Sequence, residues 1–468
     1  MAKKSRFTLV DIVVYRRIFC AKNSYIEWMK KHGGYMKKIM ILCLIYIILL
    51  RSVLLLVAGD TNPLLMKEKD LFSQAAVLMD ATSGRVLYGK NEAMKLPMAS
   101  TTKIMTCILA LEIAKLDEVV TFSKYASTQP KVKLFASEGE QFVLGDLLYS
   151  LMLESHNDTA VAIAEHIGAI QLGMANALED VKNRSQAESK RAVAAFIGLM
   201  NDKAKSLQCY DTYFITPNGL DATETKREVN GESIQIEHSS TAEDMAKILS
   251  YCILHSPQKE QFLEVTGERN YSFQNVNKTK QYHCQNHNAF LDMMQGAISG
   301  KTGYTGNAGY CYVGAVERDG RYFVVALLNS GGYGNKNRKW SDTKKLMNYG
   351  TENYTYKTVY EAGLEPKSIE VYNAKPNVED YYGKVFVKTS IPDDRNIQFL
   401  MADWESVEIV LNIKKHLIAP VSKGQIVGGI EVKLNGEMRE YLPIVSNEEI
   451  YEKTFIDSLK YVVYSYII

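Results

Sequence analysis

The chain has 468 residues, enough for two or three domains with a full core. Its 55 Lys and Arg stand against 53 Asp and Glu, a net charge of +2, so nothing marks it as a nucleic-acid binder. Seven scattered cysteines form no CxxC pair, which argues against a disulfide framework or a zinc site.

Lys37-Lys38 opens an apolar run from Ile39 to Leu50, broken by Arg51 and resumed from Val53 to Val57 before Ala58-Gly59. A basic start, an apolar middle and a small-residue end fit a secretory signal. A spanning helix takes ~20 apolar residues, and a central Arg costs about 2.5–3.5 kcal/mol, so an uncleaved anchor is the second choice. The segment before Met36 is long for a signal's basic region, which makes Met36 the expected start. Sequencing the nascent N-terminus separates the two starts.

Ser100-Thr101-Thr102-Lys103 follows, leading into Ile104, Met105, Ile108, Leu109 and Leu111 at helical spacing. The pattern predicts a buried helix starting at Ser100, with Lys103 one turn on and facing the same side. A buried ammonium loses hydration, so the pKa of Lys103 should fall toward that of a useful base. A serine hydroxyl needs such a neighbour to attack an acyl carbon. Ser155-His156-Asn157 then breaks two apolar runs, where a site-facing turn belongs. The polar stretch from Gln171 to Arg191 reads as a solvated helical insertion without chemistry.

Lys301-Thr302-Gly303 precedes two β-prone runs joined at Asp319-Gly320, a hairpin signal that puts it near the start of a strand pair. Gly303 lets a substrate backbone approach that edge. His283 and His287 are four apart, but no Glu lies between them as in a zinc-protease helix, so no metal is expected. Alternating runs at Val385–Lys388 and Val407–Val410 predict strands. At the end, Phe455, Leu459, Val462 and Tyr466 recur at helical spacing.

Ser-x-x-Lys alone is weak: Ser256-Pro257-Gln258-Lys259 and Ser341-Asp342-Thr343-Lys344 also fit it. The first contains a helix-breaking proline, and the second has no partner motifs after it. Only Ser100 is followed in order by Ser-x-Asn and Lys-Thr-Gly, the three-part constellation of penicillin-binding proteins and serine β-lactamases. The chain resembles the D-alanyl-D-alanine carboxypeptidases, the low-molecular-mass penicillin-binding proteins. Asp80-Ala81-Thr82-Ser83-Gly84, Pro217-Asn218-Gly219-Leu220-Asp221, Ser240-Thr241-Ala242-Glu243-Asp244 and Lys301-Thr302-Gly303-Tyr304-Thr305 carry the likeness beside the nucleophile segment. It runs from Leu71 to Leu328 and continues more faintly through Ala419–Gln425.

The resemblance implies an α+β fold: a β-lactamase/transpeptidase-like catalytic domain, its antiparallel sheet flanked by helices, followed by a small all-β domain. The expected organisation is 1–59 leader, 65–355 catalytic domain, 366–450 β domain and 451–468 an amphipathic tail that lies on the membrane or docks on the β domain. By resemblance, Ser100 is the nucleophile, Lys103 its proton acceptor and Ser155 the proton shuttle. Asn157 holds the peptide carbonyl, and Lys301 with Thr302 binds the terminal carboxylate. The N–H groups of Ser100 and Tyr304 form the oxyanion hole. His287 lies where many relatives carry Arg or Thr, and is expected to touch the carboxylate with a pH-sensitive grip. No cofactor is implied.

The implied reaction removes the terminal D-alanine from peptidoglycan stem peptides through an acyl-enzyme, outside the cytoplasm, with β-lactams as covalent inhibitors. Transpeptidase or endopeptidase action uses the same residues. A class A β-lactamase needs a Glu-x-x-Leu-Asn segment between the second and third motifs. The match at Glu408–Asn412 falls after Lys301 and is set aside as chance. A non-catalytic wall-binding protein is the alternative of another class.

Overall fold

A computed structural model describes residues 66–467, except 228–232, 332–333 and 377–382. The leader and Met36 lie outside the described residues. Five antiparallel strands form the central sheet: β1 (Ser73–Asp80), β2 (Val86–Lys90), β3 (Ala297–Thr305), β4 (Gly309–Arg318) and β5 (Arg321–Ser330). Their order is β2-β1-β5-β4-β3, so β3 is an edge strand. Asp319 and Gly320 both take positive φ (55° and 73°) at the β4–β5 turn, which is why Asp-Gly serves there.

Side chains alternate across this sheet, and both faces are covered. Ala75, Val77 and Met79 enter the main helical core. On the other face, Leu78 and Phe323 pack so closely against Gly350 that a Cβ there would lie 2.9 Å from Phe323. Gly350 belongs to a helix of residues Arg338–Asn353. The main core holds α1 (Lys103–Ile113), α2 (Leu144–Leu153) and α3 (Asn157–Gln171). Residues 103–111 and 157–169 are all buried, as expected of helices enclosed by others rather than amphipathic surface helices.

The stretch predicted as a solvated insertion is helical but not wholly solvated. It forms Leu178–Asn183 and the start of α4 (Gln186–Ser206), where Ser185 and Glu188 make a capping box. Val181, Ser189, Ala192 and Val193 are buried. Gly168 of α3 is required here, since a Cβ would sit 1.9 Å from the Ala192 carbonyl. Arg184 and Glu165, each only 3 % exposed, form an ion pair of 2.9 Å beneath the insertion.

Beyond the catalytic region, strands at Val407–Ile413, Ile426–Leu434, Glu437–Ser446 and Thr389–Ser390 form a second sheet. It has its own core, including Val427, Ile430, Val432, Leu442 and Ile444. Arg85, at the start of β2, reaches across to Glu405 at 2.6 Å, and Trp404 lies against Tyr349 and Tyr354.

Candidate active site

Three elements converge on Ser100. The first is a tight 3-10 turn, Ala99–Thr102, that runs straight into α1. Ser100 therefore lies inside a turn rather than at an N-cap, with Ala99 before it at φ 49°. Lys103 is fully buried, and its Nζ donates to Ser100 Oγ and to Asn157 Oδ1, both at 2.9 Å, and to the Asn218 carbonyl. No carboxylate touches it among the described residues. Burial above all, and then the amine of Lys301, hold its pKa well below the usual lysine value, against a smaller pull from Asp158.

The second element is the turn between α2 and α3. Ser155 adopts φ 65°, and its buried Oγ has no hydrogen-bond partner. A strained, orphaned hydroxyl is costly unless a ligand completes it. His156 is tied by Nδ1 to Ser150 Oγ at 2.9 Å. Burial and the nearby Lys103 push its pKa down to about 3, so it is a neutral anchor of the turn. Asn157 is occupied at both ends. Its Oδ1 accepts from Lys103, and its Nδ2 donates to the carbonyls of Pro130 and Lys131 at 3.3 and 3.2 Å. Asp158 accepts from the N–H groups of Leu134 and Phe135, fixing the same loop.

The third element is β3. Lys301-Thr302-Gly303 lies in the second half of this strand rather than near its start. Gly303 approaches so closely that a Cβ would stand 3.0 Å from Ser100 N. This brings the strand edge and Tyr304 up to the nucleophile. Lys301 is buried, its Nζ donates to the Thr302 carbonyl at 3.1 Å, and burial pushes its pKa down to about 7 against the pull of Glu154. Gly300, just before Lys301, has a steric reason to be glycine. A Cβ on Gly300 would meet Tyr312 Oη at 2.5 Å and Asn288 Nδ2 at 2.8 Å.

Sequence reasoning gave no role to Asn218, whose carbonyl binds Lys103. The signal was Gly219 beside it, at φ 84° and so close that a Cβ would lie 2.0 Å from the Ala99 carbonyl. It also missed His238, which accepts the Ile215 N–H on Nδ1 and therefore presents its Nε2 proton to Thr102 Oγ1 at 2.9 Å. The decoys are elsewhere occupied: Ser256 Oγ donates to Glu112, and Ser341 is helical. No group of three or more potential metal ligands occurs among the described residues.

A family profile described as D-alanyl-D-alanine carboxypeptidase matches residues 62–177 and 190–331. The chain belongs to the D-alanyl-D-alanine carboxypeptidase family. A second profile, for the C-terminal domain of penicillin-binding protein 5, matches residues 354–452. The stretch between the two matched parts of the carboxypeptidase profile falls in the helical insertion. The chain is 26 % identical over 394 residues to the D-alanyl-D-alanine carboxypeptidase DacF of Bacillus subtilis, covering 83 % of this chain and 88 % of that one. It is 28 % identical over 396 residues to DacC of Escherichia coli, covering 82 % and 85 %. Its fold matches the crystal structure of DacD from Francisella tularensis with a TM-score of 0.60 at 23 % identity, over 84 % of this chain and 99 % of that one. Penicillin binding protein 5 from Haemophilus influenzae matches with a TM-score of 0.57 at 25 % identity, over 82 % and 98 %. The α+β reading, with an all-β second domain, agrees with these carboxypeptidase relatives.

Proposed function

We propose that this carboxypeptidase hydrolyses the D-alanyl-D-alanine bond of peptidoglycan stem peptides through an acyl-serine at Ser100. The observation that carries this reading is the Lys103–Ser100 contact of 2.9 Å, made by a buried amine that no carboxylate touches among the described residues. Neutral Lys103 keeps its two hydrogens on Asn157 and Asn218, turns its lone pair to Ser100, and takes the Oγ proton as Oγ bonds to the penultimate D-alanine carbonyl carbon. The oxyanion faces the N–H groups of Ser100 and Tyr304. The C–N bond then breaks, and Ser155, whose hydroxyl is otherwise unpartnered, relays a proton to the departing D-alanine amine. Water then bonds to the acyl carbon as Lys103 takes its proton, the Oγ–C bond breaks, and that proton returns to Ser100 Oγ. Lys301 and Thr302 face the terminal carboxylate. β-Lactams acylate Ser100 by the same attack. Asn157 serves by holding Lys103 and the 130–132 backbone in place, and a carbonyl contact to substrate requires it to exchange one of those bonds.

The 65–355 region carries this chemistry, and the 366–450 region acts as a spacer. The helix Phe455–Ile467 exposes Phe455, Ile456, Leu459, Val462 and Tyr466. We place that tail on the outer face of the membrane, where an apolar helix face gains by leaving water. No helix among the described residues is long and apolar enough to cross a membrane.

The test is incubation of residues 60–468 with a pentapeptide ending in D-Ala-D-Ala, with free D-alanine assayed beside a Ser100→Ala control. The expected result is release by the wild type alone. Equal release from the control overturns the assignment of Ser100.

A further inference from the structure

Segment 286–288 is built to hold His287 still. Asn286 Nδ2 donates to the carbonyls of Thr266 and Glu268 at 3.1 and 2.7 Å. Asn288 donates its N–H to Asn286 Oδ1 at 2.9 Å, and its own Oδ1 accepts from Tyr312 at 2.9 Å. The His287 N–H donates to the Leu153 carbonyl at 3.2 Å, which fastens the segment to the end of α2 just before Ser155. The backbone is thus pinned on three sides, while the imidazole remains 52 % exposed.

Glu154 stands between α2 and Ser155, and its two oxygens are used differently. Oε1 accepts the Gln285 N–H at 2.8 Å, which fixes the carboxylate. Oε2 lies 3.3 Å from His287 Nε2. The charged and titratable groups that act on His287 are Glu154 from the end of α2, Lys301 from β3 and His156 from the turn. Lys301 opposes a proton on the ring and Glu154 favours it. The 3.3 Å approach is a charge contact, and a neutral ring offers an incoming carboxylate no positive charge. One added proton converts the ring into a cation between two carboxylates, that of Glu154 and that of the substrate.

We propose that Glu154 and His287 form a proton-linked clamp for the substrate's terminal carboxylate, with Glu154 as the positioning residue that makes the imidazolium affordable beside Lys301. The clamp rests on the carboxypeptidase reading above and adds a group to it. In the free enzyme the imidazole stays neutral at neutral pH, since burial lowers its pKa, with Lys301 adding to the effect and Glu154 resisting it. Binding the anion takes up one proton from solvent on the ring. The grip is therefore strongest at mildly acid pH and fades as pH rises from the pKa of the free ring to that of the bound ring. A guanidinium at the same place keeps its charge throughout.

The experiment measures kcat and KM from pH 5.5 to 8.5 for the wild type, Glu154→Gln, His287→Arg and His287→Gln. Substrates are a pentapeptide ending in D-Ala-D-Ala and the same peptide with a C-terminal amide. Gln at 154 keeps an acceptor for the Gln285 N–H and removes only the charge. For the free-acid peptide, the ratio of wild-type KM to His287→Arg KM is expected to rise by up to about tenfold per pH unit between the pKa of the free ring and that of the bound ring, and to level off above it. His287→Gln, which has no titrating ring, shows how much of the pH dependence belongs to Lys301. Glu154→Gln should raise KM about tenfold at pH 6, with the loss on KM rather than kcat, and His287→Gln should match it. The amide peptide should show none of these differences. A pH-independent ratio, or a Glu154→Gln enzyme with wild-type KM at every pH, overturns the clamp. If Glu154→Gln unfolds by circular dichroism, the His287→Arg ratio and the amide comparison decide alone. Absence of D-alanine release from the wild type at any pH is the separate failure of the carboxypeptidase reading.

Discussion

Two buried cations in this protein are treated in opposite ways. Arg184, under the helical insertion, is matched by Glu165 at 2.9 Å, and Glu165 also accepts from Ser123 Oγ. Lys103, as deeply buried, meets a hydroxyl, an amide oxygen and a backbone carbonyl, and no carboxylate among the described residues. An ion pair satisfies the Arg184 charge and ties α3 to the insertion. Neutral acceptors stabilise the Lys103 charge less than a carboxylate would, and burial together with Lys301 holds its pKa well below the usual lysine value. Lys301 follows Lys103, with its first contact a carbonyl and Glu154 only a field partner. The lesson is that burial alone does not decide what a charge is for; the partner does.

The largest break in this contrast is at the nucleophile. Ser100→Ala should cut D-alanine release by about 10⁴-fold or more, and Lys103→Ala should come within about tenfold of it, because the two act as a unit. Mass spectrometry after penicillin treatment should show no adduct on Ser100→Ala. Wild-type rates in Lys103→Ala would remove Lys103 from the base role.

The converse break is at the structural pair. Glu165→Gln leaves the Arg184 guanidinium buried without its counter-charge and should cost about 3–5 kcal/mol in urea unfolding. Its kcat/KM should match the wild type below the transition. A large loss of activity in the folded variant would mean that the two regions are coupled after all.

A smaller effect is expected at Gly300→Ala. The new Cβ displaces Tyr312 and Asn288, at a cost of about 1–3 kcal/mol in thermal unfolding. Because Asn288 anchors His287, KM should rise more than kcat falls. The smallest effect on chemistry is expected from truncation after Glu452. Release of D-alanine from a soluble peptide should hold, while co-sedimentation with anionic lipid vesicles is lost. Undiminished sedimentation would take the tail off the membrane.

Much of the site was legible in the sequence because its chemistry lies in short, ordered motifs. The placing of Ser100 and Lys103 one turn apart before an apolar run already specified a buried nucleophile–amine pair, and the Asp319-Gly320 turn specified the β4–β5 hairpin. Other features were hidden for a physical reason: they depend on contacts between residues far apart in the chain. The Asn218 carbonyl, a backbone atom, reaches Lys103 only because Gly219 passes flush against Ala99. The insertion looked solvated because its charged composition concealed the buried Val181 and Ser189. Lys301-Thr302-Gly303 was expected at the head of a strand pair, yet β3 begins earlier, at Ala297, because Gly300 makes room for Tyr312 and allows the strand to extend past it.

By itself the sequence determined the family, the order of the catalytic elements and which of three Ser-x-x-Lys matches carries the chemistry. Covalent order and side-chain identity suffice for that. The tertiary structure decided the electrostatics: which cations keep a carboxylate, which hydroxyl is left without a partner, and that Glu154 stands against His287. Those depend on burial and on distances of about 3 Å between different elements of the fold, and no local pattern encodes them.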